Sequence, residues 1–313
     1  MCPLFGSVLF LASWPSVRYH PSISQTAHVK NHRSKNEEYI LSDIKISPPS
    51  GAEEFRFGRI PLESGVTIHY AHRGEGVRTP VVFLHGYVDS WRSFSGVFEA
   101  LSPSCRVIAP DQRGHGDSDK PECCYSVEDF AGDLLLLMDA MRLDKADLVG
   151  HSMGSFIAQL FAARFPDRVG RLVLISSAPS LAGKTSLLEV KPRIDALKDP
   201  IPRSFAAKFQ ATSNPVPTGF MEMIVSETMK VPAHVWRAAF SGLVQVDHGP
   251  ILRKITAPTL LLWGNQDEAF TRPDQEALLS EIADSRLKEF DAGHSLHWEK
   301  PKETAEALEE FLG

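Results

Sequence analysis

An α/β architecture is expected of this 313-residue chain: a mostly parallel central sheet with helices on both faces and a helical lid inserted before the late strands. Three features carry that expectation. Short, nearly all-apolar runs recur along the chain, as strands covered on both faces require. Helical stretches that read as amphipathic separate them, which is the alternation of parallel sheets. Between about residues 180 and 250 the alternation stops, and a helical stretch punctuated by prolines takes its place. A chain of this size buries about 75% of its unfolded surface, so neither a disulfide nor a metal is needed to hold a core.

Taken in order, residues 1–54 read as a disordered N-terminal extension. Residues 18–38 are polar and aperiodic, and SPPSG (47–51) would break helix and strand alike. Leu4–Ala12 is apolar enough for the centre of a signal peptide. No Lys or Arg precedes it and no clear small-x-small site follows, so a cytoplasmic location is expected over export. Folded structure is expected from Phe55, beginning with a hairpin over Arg59–Gly74 that turns at Ser64-Gly65.

The strand-like runs follow as VVFL (81–84), RVIAP (106–110), ADLVG (146–150), RLVLIS (171–176), PTLLLW (258–263) and RLKEF (286–290). Helices are expected over Val127–Met141 and Ser152–Phe165. The core is thus assigned to 55–179 and 251–313, and the cap to 180–250. An insertion that long between two strands is expected to fold as a lid of its own. The lid is rich in large apolar side chains, among them Phe205, Phe209, Phe220, Trp236 and Phe240. These either line an acyl pocket or pack the lid onto the core.

Lys and Arg number 33 against 39 Asp and Glu, a net charge of −6, which disfavours a nucleic-acid partner. No apolar run reaches the roughly 18 residues a membrane span needs. The four cysteines, Cys2, Cys105, Cys123 and Cys124, include no C-x-x-C pair, so a zinc site is not expected. They read as free thiols of a reducing compartment.

The chemistry centres on Gly150-His151-Ser152-Met153-Gly154, a G-x-S-x-G match between a strand-like run and a helical one. In that context the serine sits on a strained turn, lifted out of the sheet, with small residues where a Cβ would collide. A serine hydroxyl needs a general base, itself held by a carboxylate. In chain order the acid comes next and the histidine last. Asp267 follows PTLLLWGNQ at the carboxyl end of a strand, where ligands of open α/β sheets bind. Glu268 is the neighbouring alternative, while Asp274 and Asp291 read as solvated charges. His294 follows the last strand-like run and is preferred to His297.

Two backbone N–H groups are expected to hold an oxyanion: that of Met153, after the nucleophile, and that of Tyr87 in the loop HGYVD. His85 reads as a structural hydrogen-bonding residue rather than a second base. The run Asp111–Ser118 (DQRGHGDS) lacks both G-x-G-x-x-G and a P-loop ending, and reads as a tight loop pinned by Arg113 and its aspartates.

LHGY, DQRGHGDSDKP, GHSMG, WGNQDEAF and GHSLHWEKP occur in that order, and with them the chain resembles the α/β-hydrolase superfamily from about Phe55 to Leu312. The resemblance implies a sheet of about eight strands under a helical cap and a triad of Ser152, Asp267 and His294. It also sets limits. Epoxide hydrolases and haloalkane dehalogenases use an aspartate nucleophile, whereas position 152 is serine. Carbon–carbon bond hydrolases of aromatic degradation carry a longer glycine-proline-rich loop than HGYVDSW. Cofactor-free perhydrolases usually have proline where Val88 stands.

The expected function is therefore a serine esterase acting on small to medium-chain esters, or a lactonase, with no cofactor and no metal. The partner is a small-molecule ester or lactone, with no membrane span. A non-hydrolytic lyase or acyltransferase, and a catalytically silent ligand binder, are the readings from other classes.

Overall fold

The computed structural model describes residues 55–74 and 79–313, so the reading of residues 1–54 lies outside the described residues. Eight strands form one sheet in the order β1-β2-β4-β3-β5-β6-β7-β8. The entry hairpin, β1 (Arg56–Pro61) and β2 (Thr67–Arg73), is antiparallel and joins the sheet antiparallel to β4 (Val107–Pro110). From there β3 (Val81–Leu84), β5 (Ala146–His151), β6 (Val169–Ile175), β7 (Thr259–Gly264) and β8 (Ser285–Phe290) all run parallel. Their carboxyl ends therefore share one rim.

The period-2 alternation of side chains divides the core in two. Val82, Leu84, Leu148, Leu172, Leu174 and Leu261 face one layer, packed with helices α2 (Val127–Ala140), α3 (Met153–Arg164) and α8 (Arg272–Glu281). Val81, Phe83, Val149, Val173, Leu260 and Leu262 face the other, packed with α1 (Ser95–Ala100) and α10 (Pro301–Leu312). Both faces are covered, which is why β3, β5 and β7 read as nearly all-apolar runs. The edge strand β8 departs from that reading: among its residues only Phe290 is buried, because a single neighbour covers it.

Helix α3 is not amphipathic as expected. All of its residues from Met153 to Ala163 are buried, leaving Arg164 as its exposed end. A helix covered on every side loses its polar stripe, and here α2 and the short 3-10 helix Gly249–Lys254 close over the face that would meet water.

Between β6 and β7 lie α4 (Thr185–Asp195), α5 (Arg203–Phe209), α6 (Thr218–Thr228) and α7 (Ala233–Leu243), with prolines immediately before α5, α6 and α7. Proline ends the preceding segment and presets the next helix. The two ends of this insertion are tied together: Leu181 N–H donates to Val246 O at 2.9 Å, and His248 N–H to Pro179 O at 2.9 Å.

Two readings of single residues are corrected. Cys123 and Cys124 form a disulfide between neighbours rather than two free thiols, in a loop where Cys124 is left-handed (φ 74°). Arg113 fixes that loop by donating to Cys124 O at 2.8 Å. Asp274 is not a solvated charge: it caps α8 and takes both of its ion-pair contacts, at 2.7 and 2.9 Å, from Lys184. Among the described residues no helix is long and apolar enough to cross a membrane.

Candidate active site

Ser152 stands alone between β5 and α3 with φ 50° and ψ −116°. A non-glycine residue held there costs about 1–3 kcal/mol, which the surrounding packing must enforce. The enforcement is visible. A Cβ on Gly150 would run into the Gly154 carbonyl and the Ser155 backbone, and one on Gly154 into the Leu84 carbonyl. The turn closes on α3 at Gly150 and α3 closes on the end of β3 at Gly154, so both positions must lack a side chain. Ser152 N–H donates to Ile175 O at 3.0 Å, tying the turn to β6.

Two further loops of the sheet rim complete a chain of contacts that starts at this serine. His294, between β8 and α9 (Leu296–Glu299), places Nε2 3.0 Å from Ser152 Oγ and Nδ1 2.8 Å from Asp267 Oδ2. Asp267, in the loop after β7, is buried, and its Oδ1 accepts the N–H groups of Ala269 (2.9 Å) and Phe270 (3.1 Å). Glu268, the alternative acid, is exposed. With Nδ1–H donating to Asp267, Nε2 is the free acceptor for the serine proton.

Electrostatics follow from this geometry. Burial would lower the pKa of His294, but the charge of Asp267 and its hydrogen bond outweigh that and raise it. Burial would likewise raise Asp267, yet His294 and the two loop N–H groups hold it below the ordinary carboxylate value. His297, three residues on, behaves oppositely. Burial, then the neighbouring His294, drives it to about 3. Its Nε2 lies 3.0 Å from Ser93 Oγ, inside the fold.

His151 is also buried and held well below its ordinary value, first by burial and then by His297 and His294. Neutral, it can donate from Nε2 to the backbone carbonyl of His294 at 3.2 Å. The same carbonyl accepts Ser176 Oγ at 2.6 Å. Ser176 is fully buried at the end of β6 with φ 47°, a second strained serine on the rim. Sequence reasoning passed over it; its position one residue beyond an apolar strand was the available signal.

Tyr87 and Met153 line the cavity beside Ser152. Tyr87 is anchored from above, its hydroxyl donating to Trp236 O of α7 at 2.6 Å. Val88, next to it, has φ 54°, an outlier for a β-branched residue. His85 braces this loop: its Nδ1 lies 2.8 Å from Gly86 O, and its Nε2 accepts Gln112 N–H at 3.0 Å. Asp111 accepts the N–H groups of Trp91 and Asp117, each at 2.9 Å, and Arg113 forks onto Asp133 at 2.5 Å on both oxygens.

The cavity over Ser152 has a volume of about 350 Å³. Leu187, Phe209, Phe240 and Leu243 wall it from the inserted helices, and Phe156 and Phe270 from the core. Among the described residues His69, Asp111 and Asp117 bring possible metal donors within 4.8 Å of one another. Those donors are already engaged, Asp111 by His69 Nδ1 (2.8 Å) and Asp117 by Lys230 (2.9 Å).

A sheet of this order, bearing a strained serine between its fifth strand and the helix that follows, defines a class of α/β enzymes. The chain belongs to the α/β-hydrolase fold family, whose model matches residues 79–301. It is 31% identical over 268 residues to a Bacillus subtilis protein named as a 2-succinyl-6-hydroxy-2,4-cyclohexadiene-1-carboxylate synthase, covering 81% of this chain and 97% of that one. It is also 31% identical over 260 residues to the 2-hydroxy-6-oxo-2,4-heptadienoate hydrolase of Pseudomonas putida, covering 77% and 90%. Among solved structures, a thermophilic esterase from Thermogutta terrifontis superposes with a TM-score of 0.71 at 26% identity, covering 82% and 98%. These likenesses support hydrolase activity of the α/β-hydrolase kind.

Proposed function

We propose that the protein is a serine esterase that cleaves small to medium-chain carboxylic esters through an acyl-enzyme. The observation that carries this reading is the unbroken chain Ser152 Oγ–His294–Asp267 opening onto a cavity walled mainly by apolar side chains. Ser152 attacks the ester carbonyl as His294 Nε2 takes its proton; Asp267 orients the imidazole and stabilises its charged form. The tetrahedral oxyanion is held by the backbone N–H groups of Tyr87 and Met153, each worth about 2.7–4 kcal/mol of transition-state stabilisation. His294 then protonates the leaving alcohol. It next activates a water that releases the acid and regenerates Ser152. A lactone is an internal ester and would meet the same residues, the acid and alcohol leaving as one molecule.

The test is hydrolysis of p-nitrophenyl butyrate by the wild type beside Ser152→Ala, with a fluorophosphonate label as an independent probe of the serine. Turnover by the wild type, labelling at Ser152 and a loss of about 10⁶ in the variant are expected. Residual activity above about a thousandth of wild type would remove Ser152 from the nucleophile's role.

A further inference from the structure

The cavity over Ser152 carries a one-sided charge pattern. Histidines and Tyr87 apart, every ionisable side chain lining it is a carboxylic acid: Asp89, Asp267 and Glu268. Among its described lining residues there is no Lys or Arg. Two cations come near from neighbouring elements, and both are engaged. Lys184 lies 5.6 Å over the Phe270 ring with its ammonium held by both oxygens of Asp274. Arg92 stacks on Trp91 and lies 3.5 Å from Glu227. A further acid, Glu299, accepts the N–H groups of Ser213 (3.2 Å) and Gly293 (2.9 Å) beside the cavity.

Asp89 is the innermost of these acids. It is 2% exposed, and its Oδ1 accepts the Ser90 N–H at 2.9 Å. Burial pushes its carboxyl up to about 7 against the hydrogen bonds of Ser93 and Ser90, with Glu227 and Asp111 adding to the rise. The mechanism above gives this residue no part in proton transfer. Glu268, by contrast, is exposed and stands beside Asp267.

We propose that the site accepts uncharged esters and rejects esters whose acyl group ends in a carboxylate, with Asp89 and Glu268 as the specificity-determining acids. This deepens the esterase reading and rests on it. A carboxylate entering the cavity would shed its water, find no free cation among the described lining residues, and meet acids instead. An uncharged acyl group escapes that penalty and gains the contacts of Phe209, Phe240 and Leu243.

The experiment compares methyl butyrate, methyl succinamate and monomethyl succinate at about pH 8, where a carboxyl titrating near 7 is mostly ionised. The three esters differ at the far end of the acyl chain: a methyl, a neutral amide and a carboxylate of nearly the amide's shape. Monomethyl succinate should fall below methyl succinamate in kcat/KM by about a hundredfold or more, since like charges brought together in a dry site are strongly disfavoured. Asp89→Asn should narrow that ratio about tenfold or more. Glu268→Lys, a change at an exposed position, should narrow it as well, which keeps the test open if the buried variant fails to fold.

A wild type that cleaves monomethyl succinate within about threefold of the amide would overturn the proposal while leaving the esterase reading standing. A ratio that neither variant moves would also overturn the assignment to these acids. If the wild type cleaves none of the three and Ser152 resists fluorophosphonate, the esterase reading falls and takes the proposal with it.

Discussion

The rim of the sheet and the helices above it are built by different means. On the rim, positions are fixed by hydrogen bonds and backbone strain. Val88, Ser152 and Ser176 all hold positive φ, and Asp267 and the His294 carbonyl each accept at least two hydrogen bonds. In the helical insertion, α5, α6 and α7 start just after prolines, and α5 meets α7 through the aromatic edges of Phe205 and Phe209 against Trp236. Directional bonds hold atoms to fractions of an ångström, whereas apolar packing tolerates volume-conserving change. The chemistry and the charge of the pocket therefore belong to the rim, and much of its apolar wall to the helices.

The sharpest way to break this division is at Asp267. Asp267→Asn should cut kcat by about 10⁴, as loss of the orienting carboxylate does where it has been measured. Its signature is also in the pH profile. His294 must be neutral to accept the serine proton, and Asp267 raises its pKa above the ordinary 6.5. Wild-type kcat/KM should thus fall as pH drops through a midpoint above 6.5 and level off on the alkaline side. With Asp267 neutralised, burial is opposed only by the smaller pull of Glu299, and the acid limb should move to lower pH. A limb that stays in place would assign it to another group.

Ser176→Ala tests the rim where no substrate contact is invoked. Removing the 2.6 Å bond to the His294 carbonyl leaves His151 as its other side-chain donor. A displaced base should lower kcat by about ten- to a hundredfold with KM little changed. An equal rise in KM would instead point to general loosening of the site. The smallest effect is expected in the helices. Leu187→Ala, which trims a half-buried wall of the cavity, should raise KM about three- to tenfold for butyrate esters and leave kcat nearly untouched. A fall in kcat there would erase the distinction between rim and helices.

The same contrast governs what could be read from the sequence. VVFL, ADLVG and PTLLLW became strands because burial on both faces writes itself as runs of nearly all apolar residues, with Asp147 the charged exception. Asp267 was legible because it follows such a strand and His294 because it follows the mixed run RLKEF, and their meeting at Ser152 is a matter of topology rather than of local pattern. The backbone strain at Ser176 and Val88 was not legible, since a left-handed backbone at a serine or valine is imposed by tertiary packing and leaves no trace in residue type. The burial of α3 on every side was missed for a related reason: one of the segments that cover its outer face, Gly249–Lys254, lies far away in the chain. Asp274 looked like a surface charge because its partner, Lys184, comes from the other side of the insertion.

The pinned ends of that insertion have a consequence for how such a protein can change. Pro179 and His248, and Leu181 and Val246, meet through main-chain hydrogen bonds, which need no particular side chains. The chain leaves the sheet and returns to it through one narrow doorway, so everything between is a detour from β6 to β7. Residues can be gained, lost or exchanged along that detour without turning the strand ends that aim Ser152 and Asp267. The doorway makes the roof of the site an interchangeable part, and the floor a fixture.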